Sequence, residues 1–432
     1  MAFRRSGVRS SSAPFSSKPT PMMLERLRKF STIVPTILFL CAALTAQSRP
    51  LPIQKLKRSV EKLGNLAFKS PLPVRYLSRD QLREYITAYF DSEYPDTLAD
   101  KESLFLYCLG FVERNLDLKA LRLRVLLNNI GGLYNEKTKE LCVLEDHRFS
   151  DEMSSLIVVH ELRHAVQDQH YNLSRILGGL SDFDDRKMAA LAAVEGDATF
   201  VMVIHSGFEP EVLTSYNADA LMSFSPLANT TALYNAPPVL RHLLTMPYIK
   251  GLDFITAVFK KKRWKGVARI FASPPQSSEQ ILHPEKYLKR EAPAAVTLGY
   301  QPEGWTEVHS GVVGEFLIHL LLKGEVTEID TPLGWGGDLF RLYTKPQGYF
   351  FIWESVWDKD KAAGAFFFTF KRFLEDRMTV ELRPASKTGV PFLAGQSPLG
   401  FFFLRRFRDK VLFVRTNDRL AMNRFISGGY YD

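Results

Sequence analysis

The spacing of apolar residues predicts that the first two thirds of the chain are mainly helical. Between residues 78 and 127, apolar side chains recur every three or four positions, as Leu82, Ile86 and Phe90 do, and this is the period of one helix face. The same spacing predicts helices over residues 104–115 and 118–127, from about residue 151, over residues 186–206, and in segments up to about residue 260. Most elements before residue 300 are therefore expected to be helices.

Two parts of the chain depart from this helical pattern. Gly132-Leu133-Tyr134 and residues 140–144 enclose a polar turn at residues 135–139, which predicts a β-hairpin. Beyond residue 300, a predicted helix over residues 312–322 is mixed with aromatic-rich strands over residues 349–353, 401–404 and 411–414. We therefore predict an α+β protein.

The chain divides into four predicted segments. They are a targeting segment (1–46), a linker with a short helix (47–75), a mainly helical domain with a short sheet (76–300) and an α+β C-terminal region (301–432).

The first segment is typical of a signal peptide. A basic stretch at residues 25–29 precedes an apolar stretch at residues 33–46, which is too short to span a bilayer comfortably. Cleavage is expected near Ala46, although Leu44 is larger than the side chain preferred at that position. We expect export to the periplasm or the outside of the cell. An uncleaved membrane anchor and a buried core helix are the alternatives.

Export would leave two cysteines, Cys108 and Cys142, in an oxidising compartment, where they can pair. Both lie in apolar runs, and this favours two buried thiols.

Composition and charge narrow the possible partners. The 432 residues are 46% hydrophobic and 12% aromatic, which is typical of a globular protein. The net charge is +9, but the first 46 residues hold seven basic residues and one acidic residue and so supply six of these charges. The rest of the chain gives no case for nucleic acid binding. The basic run at residues 260–265 indicates a solvated helix face, with contact to phosphate or a lipid headgroup as the alternative.

The motif His160-Glu161-Leu162-Arg163-His164 follows an apolar run at residues 156–159. Histidines four positions apart on a helix point in directions about 40° apart, so both rings can reach one ion. Neutral imidazole is the usual zinc ligand, and a glutamate beside the first histidine can act as general base towards water at the metal. The apolar run argues against the alternative of surface histidines on a solvated helix.

A catalytic zinc needs a third protein ligand, and two residues compete for that role. His170 follows His164 at the metzincin spacing, but metzincins need a glycine where this chain has Gln167. Without a helix break, His170 lies about 240° round the helix from His164. Glu195 lies among alanines that permit close helix packing, where an unpaired glutamate is costly to bury. We therefore expect Glu195 as the third ligand.

The motif and the segment Glu195-Gly196-Asp197-Ala198 together resemble the gluzincin-type zinc metallopeptidases. Over roughly residues 75–360 the chain is also similar to a group of poorly characterised exported bacterial proteins, which share the segments at residues 132–134, 279–287 and 334–338. The resemblance implies a zincin-like fold and one Zn²⁺ per chain. It implies His160, His164 and Glu195 as ligands and Glu161 as general base.

Other side chains are candidates for supporting roles. Asp168 and Asp197 can orient a ligand histidine, or they are solvated helix acids. Gluzincins usually supply a histidine or tyrosine to the oxyanion; His283 and Tyr287 are candidates, although a capped loop is the favoured interpretation of their segment. The strand at residues 140–144 is a candidate edge for pairing with an extended peptide.

The predicted function is zinc-dependent hydrolysis of peptide bonds in a peptide or protein substrate, with Glu161 as general base. One alternative is a non-catalytic envelope binding protein that keeps a zinc fold; the intact Glu161 argues against it. The other is a zinc hydrolase that acts on a non-peptide amide. The sequence leaves cleavage specificity and oligomeric state open.

Overall fold

The computed structural model describes an α+β protein, as the sequence predicts. It covers residues 52–127, 131–145, 151–179, 181, 183–210, 231–322, 334–387 and 389–430. The predicted targeting segment lies outside the described residues.

Helices make up most of the chain before residue 300. In chain order they are α1 (Ile53–Gly64), α2 (Arg79–Glu93), α3 (Asp96–Cys108), α4 (Leu118–Leu127), α5 (Asp151–Tyr171), α6 (Leu173–Leu177), α7 (Asp185–His205), α8 (Thr231–Tyr234), α9 (Pro238–Ala272), α10 (Ser278–Leu282) and α11 (Pro284–Lys289). The helix predicted at residues 104–115 lies earlier in the chain, as α3. Pro95 precedes it, and Gly110 with φ of 83° follows its end.

A three-stranded sheet precedes α5 in the chain. Its strands are β1 (Val74–Leu77), β2 (Gly132–Asn135) and β3 (Glu140–Leu144), and β3 lies in the middle, parallel to β1 and antiparallel to β2. The predicted hairpin of β2 and β3 is confirmed. The expectation that β3 is a free edge is wrong, because β1 pairs with its other side. The edge next to α5 belongs to β2.

Helices α5 and α7 lie at the centre of the helical part. Helix α1 packs on both and buries Ile53, Leu56 and Val60, although it lies in the segment predicted as a linker with a short helix. Among the described helices, α7 is the one long and apolar enough to cross a membrane by length and composition, but 83% of its apolar window is buried in the protein. It is therefore consistent with a core helix.

Helices α7 and α9 meet at two glycines. A Cβ atom added to Gly196 would lie 2.2 Å from the backbone carbonyl carbon of Gly251, and one added to Gly251 would lie 2.1 Å from the carbonyl oxygen of Ala192. The backbones touch directly at this crossing, which leaves no room for a side chain on either helix. Glu195 is the residue before Gly196, so this contact fixes its position along α7 relative to α9.

A seven-stranded antiparallel sheet dominates the chain after residue 305. Its strands are β4 (Thr306–Gly311), β5 (Trp335–Lys345), β6 (Gly348–Trp357), β7 (Arg383–Lys387), β8 (Val390–Ser397), β9 (Gly400–Phe407) and β10 (Lys410–Thr416), in the order β4-β5-β6-β10-β9-β8-β7. Its helices are α12 (Gly314–Leu321), α13 (Asp360–Met378) and α14 (Arg419–Gly428). The strands predicted at residues 349–353, 401–404 and 411–414 lie within β6, β9 and β10.

Successive residues of the central strands pack into two different apolar clusters, one on each face of the sheet. In β6, Phe351 and Trp353 belong to the main core with Phe370 of α13, whereas Phe350 and Ile352 belong to a second cluster with α14. A period of two places successive side chains on opposite faces of a strand. The main core is continuous from α1 to β10, across the boundary predicted near residue 300.

Buried carboxylates hold the starts of α10 and α12 in place. Asp185, at the start of α7, accepts a hydrogen bond of 2.9 Å from the backbone N–H of Ser278. Asp338 accepts hydrogen bonds of 2.7 and 2.9 Å from the backbone N–H groups of Val313 and Gly314. Burial raises the pKa of both carboxyls, that of Asp338 to about 6. These bonds satisfy backbone donors at the starts of α10 and α12 that would otherwise be buried unpaired.

The two cysteines are free, buried thiols, Cys108 at the end of α3 and Cys142 in β3. Burial raises the pKa of both, that of Cys108 to about 12. This agrees with the favoured prediction of two thiols.

Candidate metal centre

Helix α5 carries both motif histidines in the core. It runs without interruption from Asp151 to Tyr171, so the predicted absence of a break at Gln167 is confirmed. Val158, Val159 and Leu162 are buried on its apolar side. His170 lies in the last turn, where its Nε2 contacts the carbonyl oxygen of Ala67 at 2.8 Å. The His170 side chain therefore points away from His160 and His164, as the helix geometry predicts, and contacts another part of the chain.

Three predicted ligand side chains converge between α5 and α7. His160 Nε2 lies 3.0 Å from His164 Nε2 and 3.1 Å from Glu195 Oε2, and His164 Nε2 lies 3.3 Å from the same oxygen. The two imidazole rings are nearly perpendicular, with centroids 4.6 Å apart. We call His160, His164 and Glu195 the triad cluster.

The electrostatics of the cluster favour a positive charge between its members. Burial disfavours the charged form of His164, but the adjacent Glu195 outweighs this and raises the pKa of His164 to about 9. Burial alone would raise the pKa of Glu195, whereas the two histidines lower it well below its usual range. A carboxylate enclosed with two imidazoles thus gains by sharing a cation.

The donor set and its spacing fit zinc. Two imidazole nitrogens and one carboxylate oxygen are a known combination for catalytic zinc, which keeps a further position open. Bonds of about 2.0–2.1 Å in tetrahedral geometry separate neighbouring ligand atoms by about 3.3 Å. The three separations in the cluster, 3.0, 3.1 and 3.3 Å, are close to that value.

A second group of residues orients His164. Its Nδ1 donates to Gln167 Oε1 at 2.9 Å, and Gln167 Nε2 donates to Asp197 Oδ2 at 2.7 Å. Arg163 donates to the same carboxylate from Nε at 2.7 Å and from Nη2 at 3.1 Å. Because Nδ1 donates to Gln167, Nε2 is the nitrogen of His164 that faces the cluster, and it offers a lone pair once it has lost its proton. Asp197 therefore orients His164 indirectly, through Gln167. The sequence alone did not identify Gln167 as this intermediate.

Asp168 does not take the orienting role predicted for it. Its Oδ2 accepts hydrogen bonds from the Tyr134 hydroxyl at 2.7 Å and from Lys139 Nζ at 2.6 Å, and its Oδ1 accepts from the backbone of Leu173 at 3.0 Å. The carboxylate thus joins α5 to β2, to the turn before β3 and to the start of α6.

Glu161 lies between α5 and the edge of β2. Its Oε2 accepts a hydrogen bond of 2.8 Å from the backbone N–H of Tyr134. Burial raises the pKa of Glu161, while His160 and His164 oppose that effect. The carboxylate is thus held by the backbone of a strand and adjoins the triad cluster.

Tyr248 of α9 is the site residue that sequence reasoning missed altogether. Its ring stacks on that of His160 with centroids 6.0 Å apart. Burial raises the pKa of its hydroxyl well above the usual value, and the nearby carboxylates of Glu195 and Glu161 raise it further. The hydroxyl therefore stays protonated and can donate a hydrogen bond. Tyr248 lies on α9 and the motif lies on α5, so no regular spacing in the sequence links this tyrosine to the motif.

His283 and Tyr287, the two candidates for contact with an oxyanion, have other partners. His283 Nε2 pairs with the buried carboxylate of Glu315 at 2.9 Å. The Tyr287 hydroxyl donates to the carbonyl oxygen of Ser273 at 2.9 Å. Both bonds hold the segment around α10 and α11 in place, which agrees with the structural alternative for these residues.

A second acidic group already contains a cation. Glu279, Glu291 and Asp358 come close enough together to bind a metal, but Lys286 Nζ lies between them at 2.6, 2.7 and 3.4 Å. The ammonium therefore takes the position between these carboxylates.

A family described as a domain of unknown function, DUF8575, matches residues 302–422. The matched stretch contains the seven-stranded sheet and lies after every residue of the triad cluster. Comparison with curated proteins and with solved structures gives no match.

Proposed function

We propose that the protein is a zinc-dependent peptidase in which His160, His164 and Glu195 hold one Zn²⁺. The observation that carries this proposal is the convergence of three ligand atoms within 3.0–3.3 Å of one another beside a second, separately held carboxylate, Glu161. When bound, zinc supplies a Lewis acid that polarises a carbonyl group and makes water more acidic.

Glu161 is the general base in this proposal. The backbone N–H of Tyr134 fixes Oε2, so the carboxylate keeps one orientation while Oε1 accepts the proton of the attacking water. The same oxygen then delivers that proton to the leaving amine, and the carboxylate returns to its starting state.

Tyr248 is the hydrogen-bond donor to the developing oxyanion in this proposal. Its protonated hydroxyl lies beside Glu195 and Glu161, on the α9 side of the cluster. A donor that is already in place when negative charge develops stabilises the transition state more than the substrate.

The edge of β2 supports a peptide as the substrate. The N–H of Tyr134 points away from β3 and donates to Glu161 of α5, so the edge of β2 that pairs with no other described strand lies on the Glu161 side. An extended peptide can add to such an edge through its backbone. In this proposal β2 takes the role that the sequence assigned to β3.

Peptide digestion by the Glu161→Gln variant tests the proposal. With zinc bound, the wild-type protein is expected to cleave a peptide library, and the variant is expected to retain zinc but lose about 10²–10⁴-fold in kcat because the base is missing. Glu84→Gln, an exposed glutamate on α2, is the matched control and should retain full activity. Mass spectrometry of the digest measures both.

Two outcomes would overturn this function. Stoichiometric zinc without any cleavage, unchanged by Glu161→Gln, would identify a binding protein. Cleavage of amide substrates but not of peptides would identify a hydrolase of another class.

A further inference from the structure

The basic run at residues 260–265 lies where α9 bends. The backbone leaves helical geometry at Arg263, with φ of 52° and ψ of −160°, a combination that residues other than glycine rarely adopt. Trp264 holds the bend, because its ring packs on Phe200 and Phe259 with centroids 5.7 and 5.2 Å apart. The guanidinium of Arg163 lies 5.5 Å from the same ring. The bend is therefore a fixed feature of the helix.

A groove of about 820 Å³ lies between the end of α9 and α11. Lys262, Lys265 and Arg269 of α9 and Arg290, just after α11, line it. The hydrogen bond from Tyr287 to Ser273 holds the two walls together. Four positive side chains from two elements thus surround one concave surface.

The positive charge of this groove is not compensated within its walls. No aspartate or glutamate is among the described residues that line it, and these four cations form no ion pair within the described ranges. The carboxylates of Glu279, Glu291 and Asp358 pair with Lys286, which does not line the groove. Side chains of like charge repel one another, so a concave surface that collects them gains stability from an anion.

We propose that this groove binds a phosphate-bearing ligand. Two arginines offer planar pairs of donors that match phosphate oxygens, and two lysines add point charges. The volume exceeds what one phosphate group fills and is typical of sites for organic ligands. Leu288 adds apolar surface to the wall, which suits the organic part of such a ligand. The source is a soluble phosphate compound or the headgroup of an anionic phospholipid.

Binding of two probes to the full chain at low ionic strength tests the proposal. Inorganic pyrophosphate, titrated by calorimetry, represents the soluble source. Sedimentation with vesicles of equal parts phosphatidylcholine and phosphatidylglycerol, against phosphatidylcholine alone, represents the lipid source. The double variant Lys265→Gln/Arg269→Gln is expected to weaken binding of the effective probe by about 30-fold or more, since two charge-assisted contacts are removed.

The matched control is Lys261→Gln/Lys289→Gln, which removes two exposed charges from α9 and α11 outside the groove. It should change binding by no more than about twofold. The variant Arg269→Lys, which keeps the charge but loses the planar pair of donors, should give an intermediate loss. Circular dichroism checks that all variants are folded, which their exposed positions favour.

Loss confined to the groove variant with pyrophosphate supports a soluble ligand, and the same pattern with vesicles supports a lipid headgroup. Equal loss in both double variants would overturn the proposal in favour of general surface charge. Failure of both probes to bind at low ionic strength would overturn it as well. These outcomes are independent of peptidase activity, because none of the substituted residues belongs to the triad cluster.

Discussion

Gln167 decides which nitrogen of His164 faces the triad cluster. Its amide donates to Asp197 and to the carbonyl oxygen of Val194, so its oxygen is left to accept from His164 Nδ1. Such a partner fixes both the tautomer and the orientation of a ligand histidine before the metal arrives. For His160, Nδ1 is buried and has no equivalent partner in the described part of the chain.

Replacing Gln167 by alanine should therefore weaken zinc binding. We expect the zinc affinity to fall by about 10–100-fold, because His164 loses the hydrogen bond that orients it. Gln169→Ala is the control, since Gln169 lies two residues later and bonds to the backbone of Lys69 and Ser70. Competition with a zinc chelator measures both affinities. Equal affinities in the two variants would show that Gln167 has no orienting role.

The triad cluster was predictable from the sequence, but its surroundings were not. The offsets between His160, Glu161 and His164 follow from helix geometry, and burial of Glu195 among alanines required a partner. Gln167 had been considered only for the helix break that it does not make. Tyr248 depends on the packing of α9 against α7, which no local pattern encodes. Tertiary contacts of this kind can be identified only once the three-dimensional fold is known.

At the scale of elements, the position of Glu195 depends on how closely α7 approaches α9. Gly196 and Gly251 meet backbone to backbone, and the atoms that a new side chain would strike belong to the main chain. Main-chain atoms in two long, buried helices cannot move aside as a flexible side chain can. The crossing therefore places Glu195 and Tyr248 relative to each other.

Gly251→Ala should destabilise the protein. The added methyl group would lie 2.1 Å from the carbonyl oxygen of Ala192, so the helices must separate, at a cost of about 1–3 kcal/mol or more. Gly299→Ala is the control, because nothing lies within 4 Å of its new Cβ atom. Urea unfolding measures both. A Gly251→Ala variant as stable as the control would mean that the two helices do not touch at this point.

Periodic patterns identified the long elements and missed short or exposed ones. Helices α4 and α7 and the hairpin of β2 and β3 begin and end close to their predicted bounds, and α5 begins where it was predicted to begin. Strand β1 has only four residues and exposes two of them, and β7 exposes most of its side chains, so neither shows an alternating apolar face. Missing β1 led directly to the wrong edge strand, because β1 is what covers β3.

At the scale of the whole molecule, the helical part and the large sheet share one core. His309 of β4 illustrates the junction, since its ring packs against Phe105 of α3 at 5.9 Å and Phe340 of β5 at 5.2 Å. Burial lowers the pKa of His309 to about 4, and Lys101 contributes to the shift, while Asp184 opposes it. Its Nε2 is buried without a hydrogen-bond partner among the described residues.

His309 should make the protein sensitive to acid. In the unfolded chain its pKa is about 6.5, so as the pH falls from 6.5 towards 4 the unfolded state binds a proton that the folded state does not. Stability is therefore lost across that window, by about 2 kcal/mol after allowance for partial exposure. Phenylalanine suits the aromatic surroundings of residue 309. Between pH 7.5 and pH 4.5, the free energy of unfolding of His309→Phe should therefore fall by about 2 kcal/mol less than that of the wild-type protein. Urea unfolding at the two pH values measures the difference; identical pH dependence would show that His309 does not contribute.

The bound zinc of three purified variants tests the central claim most directly. Elemental analysis after dialysis should give one zinc per chain for the wild-type protein and for His170→Ala, whose side chain contacts Ala67 instead of the cluster. His160→Ala and Glu195→Ala should each lose the metal, because two protein ligands do not retain zinc as three do. Zinc that survives Glu195→Ala but is lost in His170→Ala would contradict the assignment of the triad cluster as the metal site.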